Sequence, residues 1–149
     1  MRDVVATGLA GSVASAATAL ACSHRENGHA ARPMNAVTHI LDGGAPPAQD
    51  GAGRRNTLLG FAIHSAASIF WAAFYEPLKR KPLAGAAGIT ALAYVVDYYV
   101  VGPRFRPGFE AYLTGRSLFA VYAALAAGFA ASALMQARRS ARRRPARPA

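Results

Sequence analysis

Two ionisable residues, His64 and Asp97, stand inside long stretches that otherwise hold no charge. An imidazole and a carboxylate can share a hydrogen bond, pass a proton or grip a ligand. In hydrocarbon each is costly to bury and faces a partner, a cavity or water. The sequence puts further polar groups in reach: Tyr94, Tyr98 and Tyr99 flank Asp97, and Glu26, Asn35 and His39 precede His64. His64, Asp97, His39, Glu26, Asn35 and Tyr98 therefore form a candidate polar pocket. Three chemistries fit it: a His64–Asp97 hydrogen bond that locks two helices together, a proton- or ligand-handling pocket, and a metal site. The metal reading has little to stand on. Cys22, His24 and His29 make a C-x-H-x-x-x-x-H string, which matches no standard zinc spacing. Four histidines do not make the repeated boxes of a membrane di-iron enzyme, and a haem needs axial ligands on two spans where only one carries a histidine. There is no G-x-x-x-x-G-K-[ST] phosphate loop and no G-x-S-x-G elbow. Ser65 beside His64 points about 100° away from it on a helix. No catalytic residue, metal or cofactor is assigned.

The elements that must position these groups follow from where charge is missing. Residues of the AVILMFWYC set make up 53% of the 149, and charged residues 16%, against about 25% in soluble domains. The mean hydropathy is only +0.17 because polar and apolar residues are segregated. Crossing ~30 Å of hydrocarbon takes ~20 helical residues. Four windows qualify: 4–22, 57–75, 83–101 and 118–136. The first and last hold no charge, the second holds only His64 and the third only Asp97. None alternates as a strand would. The expected fold is all-α, a four-helix transmembrane bundle with a short amphipathic helix in the first outer loop. Small residues thin the spans: Gly8, Gly11, Ser12 and Ser15 in the first, Gly85 and Gly88 in the third, and Ala124, Ala127, Gly128 and Ala131 in the last. Lipid offers no hydrophobic drive for helices to associate, so close backbone approach at such residues supplies the packing. The chain's start also resembles a cleavable signal, with Ala19-Leu20-Ala21 before Cys22. Ala19, where a lipoprotein site prefers a branched aliphatic residue, and Asp3 in the leading segment favour a retained span. Cys22, alone, forms no internal disulfide.

An even number of spans puts both termini on one side. That side receives ten of the seventeen basic residues, including the Lys79-Arg80-Lys81 turn and Arg138, Arg139, Arg142, Arg143 and Arg144. Bias in short loops sets orientation, so both termini are expected in the cytoplasm, with these cations on anionic lipid headgroups. Glu76 is expected to pair with a cation of that turn, and Trp71, Phe74 and Tyr75 to sit at the same headgroup level. Residues 138–149 read as a disordered basic tail. The net charge of +10 thus points to lipid, with nucleic acid excluded as the partner. On the outer side, 33–42 reads as the short helix, with Met34, Val37 and Leu41 on one face and Asn35, His39 and Asp42 on another. Gly43-Gly44 stop it, and it is expected to lie on the bilayer or fold over the bundle mouth. Residues 45–53 read as a flexible connector, residues 102–110 as an elbow broken by Pro103 and Pro107, and Ser117 as the cap of the last span. His64 lies ~10 Å below the outer surface and Asp97 ~6 Å, levels a side-chain pair can bridge.

Several strings resemble those of a group of small proteobacterial inner-membrane proteins. They are Arg25-Glu26-Asn27-Gly28, then Pro33, Asn35-Ala36 and His39. His64 precedes a Trp-x-x-x-[FY]-Glu string running from Trp71 to Glu76. Asp97-Tyr98 is followed by Pro103, Pro107-Gly108-Phe109-Glu110, with Arg104 and Arg106 departing from the group's arginine register. The resemblance covers about residues 23–135 and implies the four-span architecture and the list of polar residues above, with no activity attached. The function expected is that of a non-enzymatic structural or accessory membrane protein, served by a membrane-protein partner or a second copy. The alternative is a small transporter or sensor with an outer-facing pocket around His64 and Asp97.

Overall fold

The computed structural model describes residues 1–43 and 53–143, with only the backbone of residues 42 and 143. Among these residues the chain is helical without strands. The order is α1 (Arg2–Asn27), α2 (Arg32–Val37), α3 (His39–Asp42), α4 (Arg54–Tyr75), α5 (Pro82–Val95) and α6 (Gly115–Arg143), with short turns between. Four helices are long and apolar enough to cross a membrane, α5 counting with the turn that extends it to Val100. With backbone amides satisfied within each helix, such stretches suit hydrocarbon. This is a multi-pass membrane protein.

The distribution of side chains agrees with lipid around the bundle. On α1, Val5, Leu9 and Val13 are exposed while Thr7, Gly8, Gly11, Ser12, Ser15 and Ala16 are buried. On α4, Phe70 and Phe74 are exposed and Ser65 and Ser68 are buried. Large apolar residues outside and small polar ones inside invert the pattern of a soluble helix, as packing between helices in lipid requires.

Helix α1 is the central strut. It packs along α6 and α4, while α5 packs mainly on α6. Backbones touch where α1 crosses α6: a Cβ on Gly128 would lie 2.6 Å from Gly11 Cα. Hydroxyl pairs flank the crossing. Thr7 Oγ1 and Ser132 Oγ are 3.0 Å apart, and Gln136 Nε2 donates to both at 3.0 Å. Ser12 Oγ and Ser65 Oγ, 2.8 Å apart, fix the rotation of α4 against α1. The thin face expected on the first span is the packed one. On the last span only Gly128 of the four expected residues is buried, because α6 turns Leu118, Val121, Leu125 and Phe129 inward and leaves Ala127 and Ala131 outside.

Several expectations are corrected. The 33–42 helix is two pieces broken at Thr38, whose hydroxyl donates to the Asn35 carbonyl. Of its two expected placements it takes the bundle mouth: Met34, Asn35, Val37 and His39 are all buried, so neither face of α2 lies on the bilayer. Gly43 ends α3 in the left-handed region; Gly44 and the expected connector, up to residue 52, lie outside the described residues. The third span is not α-helical throughout. Its last turn, Val96–Val100, is wider, with the Val101 N–H reaching back five residues to the Val96 carbonyl. Residues 138–143, expected to be disordered, continue α6: Arg138, Arg139 and Ala141 form helix well and no proline intervenes before position 145. Residues 144–149, with Arg144, lie outside the described residues. Tyr75 does not sit at a headgroup level facing lipid. It is buried, stacks on Phe129 at 5.5 Å and donates its hydroxyl to the Pro82 carbonyl at 3.2 Å. Phe74 alone of the three faces outward fully. Glu76 accepts a hydrogen bond from Lys79, whose ammonium also lies 3.9 Å from Asp3.

Candidate functional site

Residues four and seven apart share a helix face. His64, Ser68 and Trp71 stand at that spacing on α4, and the Ser12–Ser65 contact turns this face toward the bundle interior. The three line a cavity of ≈ 90 Å³ together with Ser15 of α1, Val121, Tyr122 and Leu125 of α6, and Asp97 of the wide turn after α5. Its roof is Val37 and Ile40 from the α2–α3 segment and Phe105, Pro107 and Phe109 from the second loop. Such a volume holds several water molecules or a small organic molecule.

His64 Nε2 lies 2.9 Å from Ser15 Oγ. That hydroxyl also lies 2.8 Å from the Gly11 carbonyl and 3.2 Å from the Ser12 carbonyl. Carbonyls only accept, so the single hydroxyl proton goes to them and His64 Nε2–H donates to Ser15. The neutral ring then keeps a lone pair at Nδ1. Asp97 Oδ2 accepts the Tyr122 hydroxyl at 2.6 Å; Oδ1 has no hydrogen bond among the described residues. The expected His64–Asp97 hydrogen bond is therefore not formed. Ser15 of α1 and Tyr122 of α6 take the two groups separately, leaving both on the lining of one cavity. Because a hydrogen bond to a charged group is worth ~1.5–3 kcal/mol, Tyr122→Phe is expected to lower stability in detergent by about that amount, read as a lower unfolding temperature.

The other four expected pocket residues do not line the cavity. Asn35 and His39 hold its roof. Thr57 of α4 donates to Asn35 Oδ1 at 2.8 Å, fastening α2 to α4. His39 Nδ1 lies 2.7 Å from the Ala36 carbonyl and Nε2 3.5 Å from that of Pro103, joining α3 to the second loop. Tyr98 packs between Tyr94 and Tyr122, with ring centroids at 5.1 and 6.2 Å. Glu26 is carried past the cavity because α1 runs on to Asn27. It meets the start of α6, whose free amides favour a carboxylate. The Thr114 N–H and hydroxyl donate to it at 3.0 and 2.8 Å, and so does Ser117. Ser117 thus does not cap α6; Thr114 does, accepting the Ser117 N–H at 3.4 Å.

Glu26 lies a turn beyond the uncharged stretch of α1. The Ser117 hydroxyl first, then the Thr114 amide and hydroxyl, hold its carboxyl below the ordinary 4.5. A folded-state value below the unfolded one adds stability above the unfolded value and loses it as pH falls through the folded one. Wild-type protein is therefore expected to lose stability below about pH 4.5 more steeply than Glu26→Gln, as followed by thermal unfolding across pH.

Ser15, Ser68, Trp71, Tyr122, Phe105 and Phe109 are among the lining residues not expected as such. The i, i+4, i+7 spacing from His64 to Trp71 was the available signal for two of them. No family model, curated protein or solved structure matches the chain.

Proposed function

We propose that the chain is a non-enzymatic protein of a bacterial inner membrane, with both termini in the cytoplasm, that holds a small ligand as a transporter or sensor does. The observation that carries this reading is that His64 and Asp97, from different helices, line one roofed cavity instead of satisfying each other. The basic turn Lys79-Arg80-Lys81 and the cations Arg138, Arg139 and Arg142 support the orientation, since Lys79 and Arg80 stand beside Asp3 at the start of α1 and Ser140 near the end of α6. There they meet anionic headgroups. The resemblance to small proteobacterial inner-membrane proteins supports the choice of membrane.

The test is cysteine labelling in intact cells, in a Cys22→Ser background. Ser68→Cys, on the cavity wall, is expected to react with a membrane-impermeant thiol reagent added outside. Lys81→Cys is expected to react only after lysis. Labelling of position 68 only after lysis, or from neither side, overturns an outer-facing pocket.

A second reading, that of an accessory subunit, is favoured by one observation. An apolar groove of ≈ 860 Å³ runs between α5 and α6, lined by Leu83, Ala87, Ala91, Phe119, Ala123 and Ala127 among others. Small residues there admit a helix from a membrane partner or a second copy. Intermolecular disulfide formation by Ala127→Cys in membranes is expected for a homo-oligomer; a monomer under those conditions removes the second copy as the occupant.

A further inference from the structure

We propose that the cavity is a binding site for a small protonated amine. This inference rests on the pocket reading above and names the class of ligand. Three features of the wall select it. First, among the described residues Asp97 is the one formally charged side chain that lines the cavity, and it has no ion-pair partner there. A carboxylate left uncompensated within a span is costly, and a cationic ligand supplies the missing charge. Second, these two lining groups both offer acceptors. His64 spends its N–H on Ser15 and is left with the Nδ1 lone pair, while Asp97 takes the Tyr122 hydroxyl on Oδ2 and has no hydrogen bond at Oδ1 among the described residues. An ammonium group carries three N–H donors and no acceptor, which is the complement of such a pair. An anion finds no cation in the described lining, and the Trp71 indole N–H is a neutral donor that does not offset a charge. Third, four aromatic rings stand in the lining, Trp71, Phe105, Phe109 and Tyr122, among aliphatic side chains such as Ile63, Val121 and Leu125. Ring faces attract cations and pack alkyl chains equally well, so an ammonium head on a short alkyl tail matches both parts of the wall. The ≈ 90 Å³ volume limits the tail to a few carbons.

The chain's single tryptophan is Trp71, so its fluorescence reports occupancy directly. Purified protein in detergent is titrated with propylammonium chloride, sodium propionate or 1-propanol, three probes of similar size and different charge. Propylammonium is expected to change Trp71 emission saturably, and the other two at least tenfold more weakly. Asp97→Asn, which can still accept the Tyr122 hydroxyl, is expected to weaken propylammonium at least tenfold and bring it level with 1-propanol. The selectivity of the wild-type protein stands as a test even if that variant fails to fold. Equal or stronger binding of propionate or 1-propanol overturns the amine assignment and leaves the pocket reading standing. Silence from all three probes, with position 68 labelled from outside, overturns the assignment alone. Silence together with an unlabelled position 68 removes both.

Discussion

Gly60→Val forces α2 out of the mouth of the bundle. A Cβ on Gly60 would lie 1.8 Å from the Met34 carbonyl oxygen and 2.7 Å from its carbon. Both are backbone atoms, so no rotamer change relieves the clash. Either α4 and α2 separate or α2 unwinds, and each breaks the Thr57–Asn35 hydrogen bond as well. Overpacking a tight site costs ~1–3 kcal/mol when side chains can shift; here the expected loss is at or above the top of that range. Thermal unfolding in detergent is expected to show it, with red-shifted Trp71 emission in the folded fraction, because Val37 of α2 and Trp71 line the same cavity. An unchanged unfolding temperature would mean that α2 does not rest on Gly60.

The second large effect is expected at the crossing of α1 and α6. Gly128→Leu places its Cβ 2.6 Å from Gly11 Cα and 2.7 Å from the Ala10 carbonyl oxygen. The helices must move apart, which separates Thr7 from Ser132 and both from Gln136. In lipid, close approach and these hydrogen bonds supply most of the association between helices. The variant is expected to lose most of its folded yield. Gly88→Leu is the matched control: no atom lies within 4 Å of the added Cβ, so it is expected to fold normally. Equal yields for the two variants would contradict the packing of α1 on α6.

The contrast between Gly128 and Gly88 also shows why the spans were legible in the sequence and their rotation was not. Uncharged length decides which stretches cross, and it is written locally: 4–22, 57–75, 83–101 and 118–136 each fall within or largely within a described helix. Which side of a helix faces its neighbours is decided by residues far apart in the chain. Gly88 and Gly128 look alike in sequence, yet one is open to the surroundings and the other touches α1. The same holds for the pocket. An isolated ionisable residue in an apolar stretch marks itself, so His64 and Asp97 were found. Their partners Ser15 and Tyr122 are 49 and 25 residues away, and nothing local marks them. Glu26, His39 and Asn35 were misplaced for a related reason. The sequence places all three at the pocket, but α1 runs five residues beyond Cys22, leaving Glu26 exposed, and the loop helix breaks at Thr38. Glu26 therefore reaches the start of α6, and the other two fasten the roof.

The rotation of α4 and α6 about α1 decides whether the cavity exists, and disulfide trapping in native membranes measures it most directly. In a Cys22→Ser background, Ser12→Cys with Ser65→Cys and Thr7→Cys with Ser132→Cys replace hydroxyl pairs 2.8 and 3.0 Å apart. Mild oxidation is expected to consume both thiols of each pair, as counted by the mass added on maleimide labelling. Val13→Cys with Ala66→Cys, one residue round on the outward faces, is expected to keep both thiols. Cross-linking of that outward pair, or free thiols in both inward pairs, would show that α4 and α6 present other faces to α1 and that His64 and Tyr122 do not share a cavity.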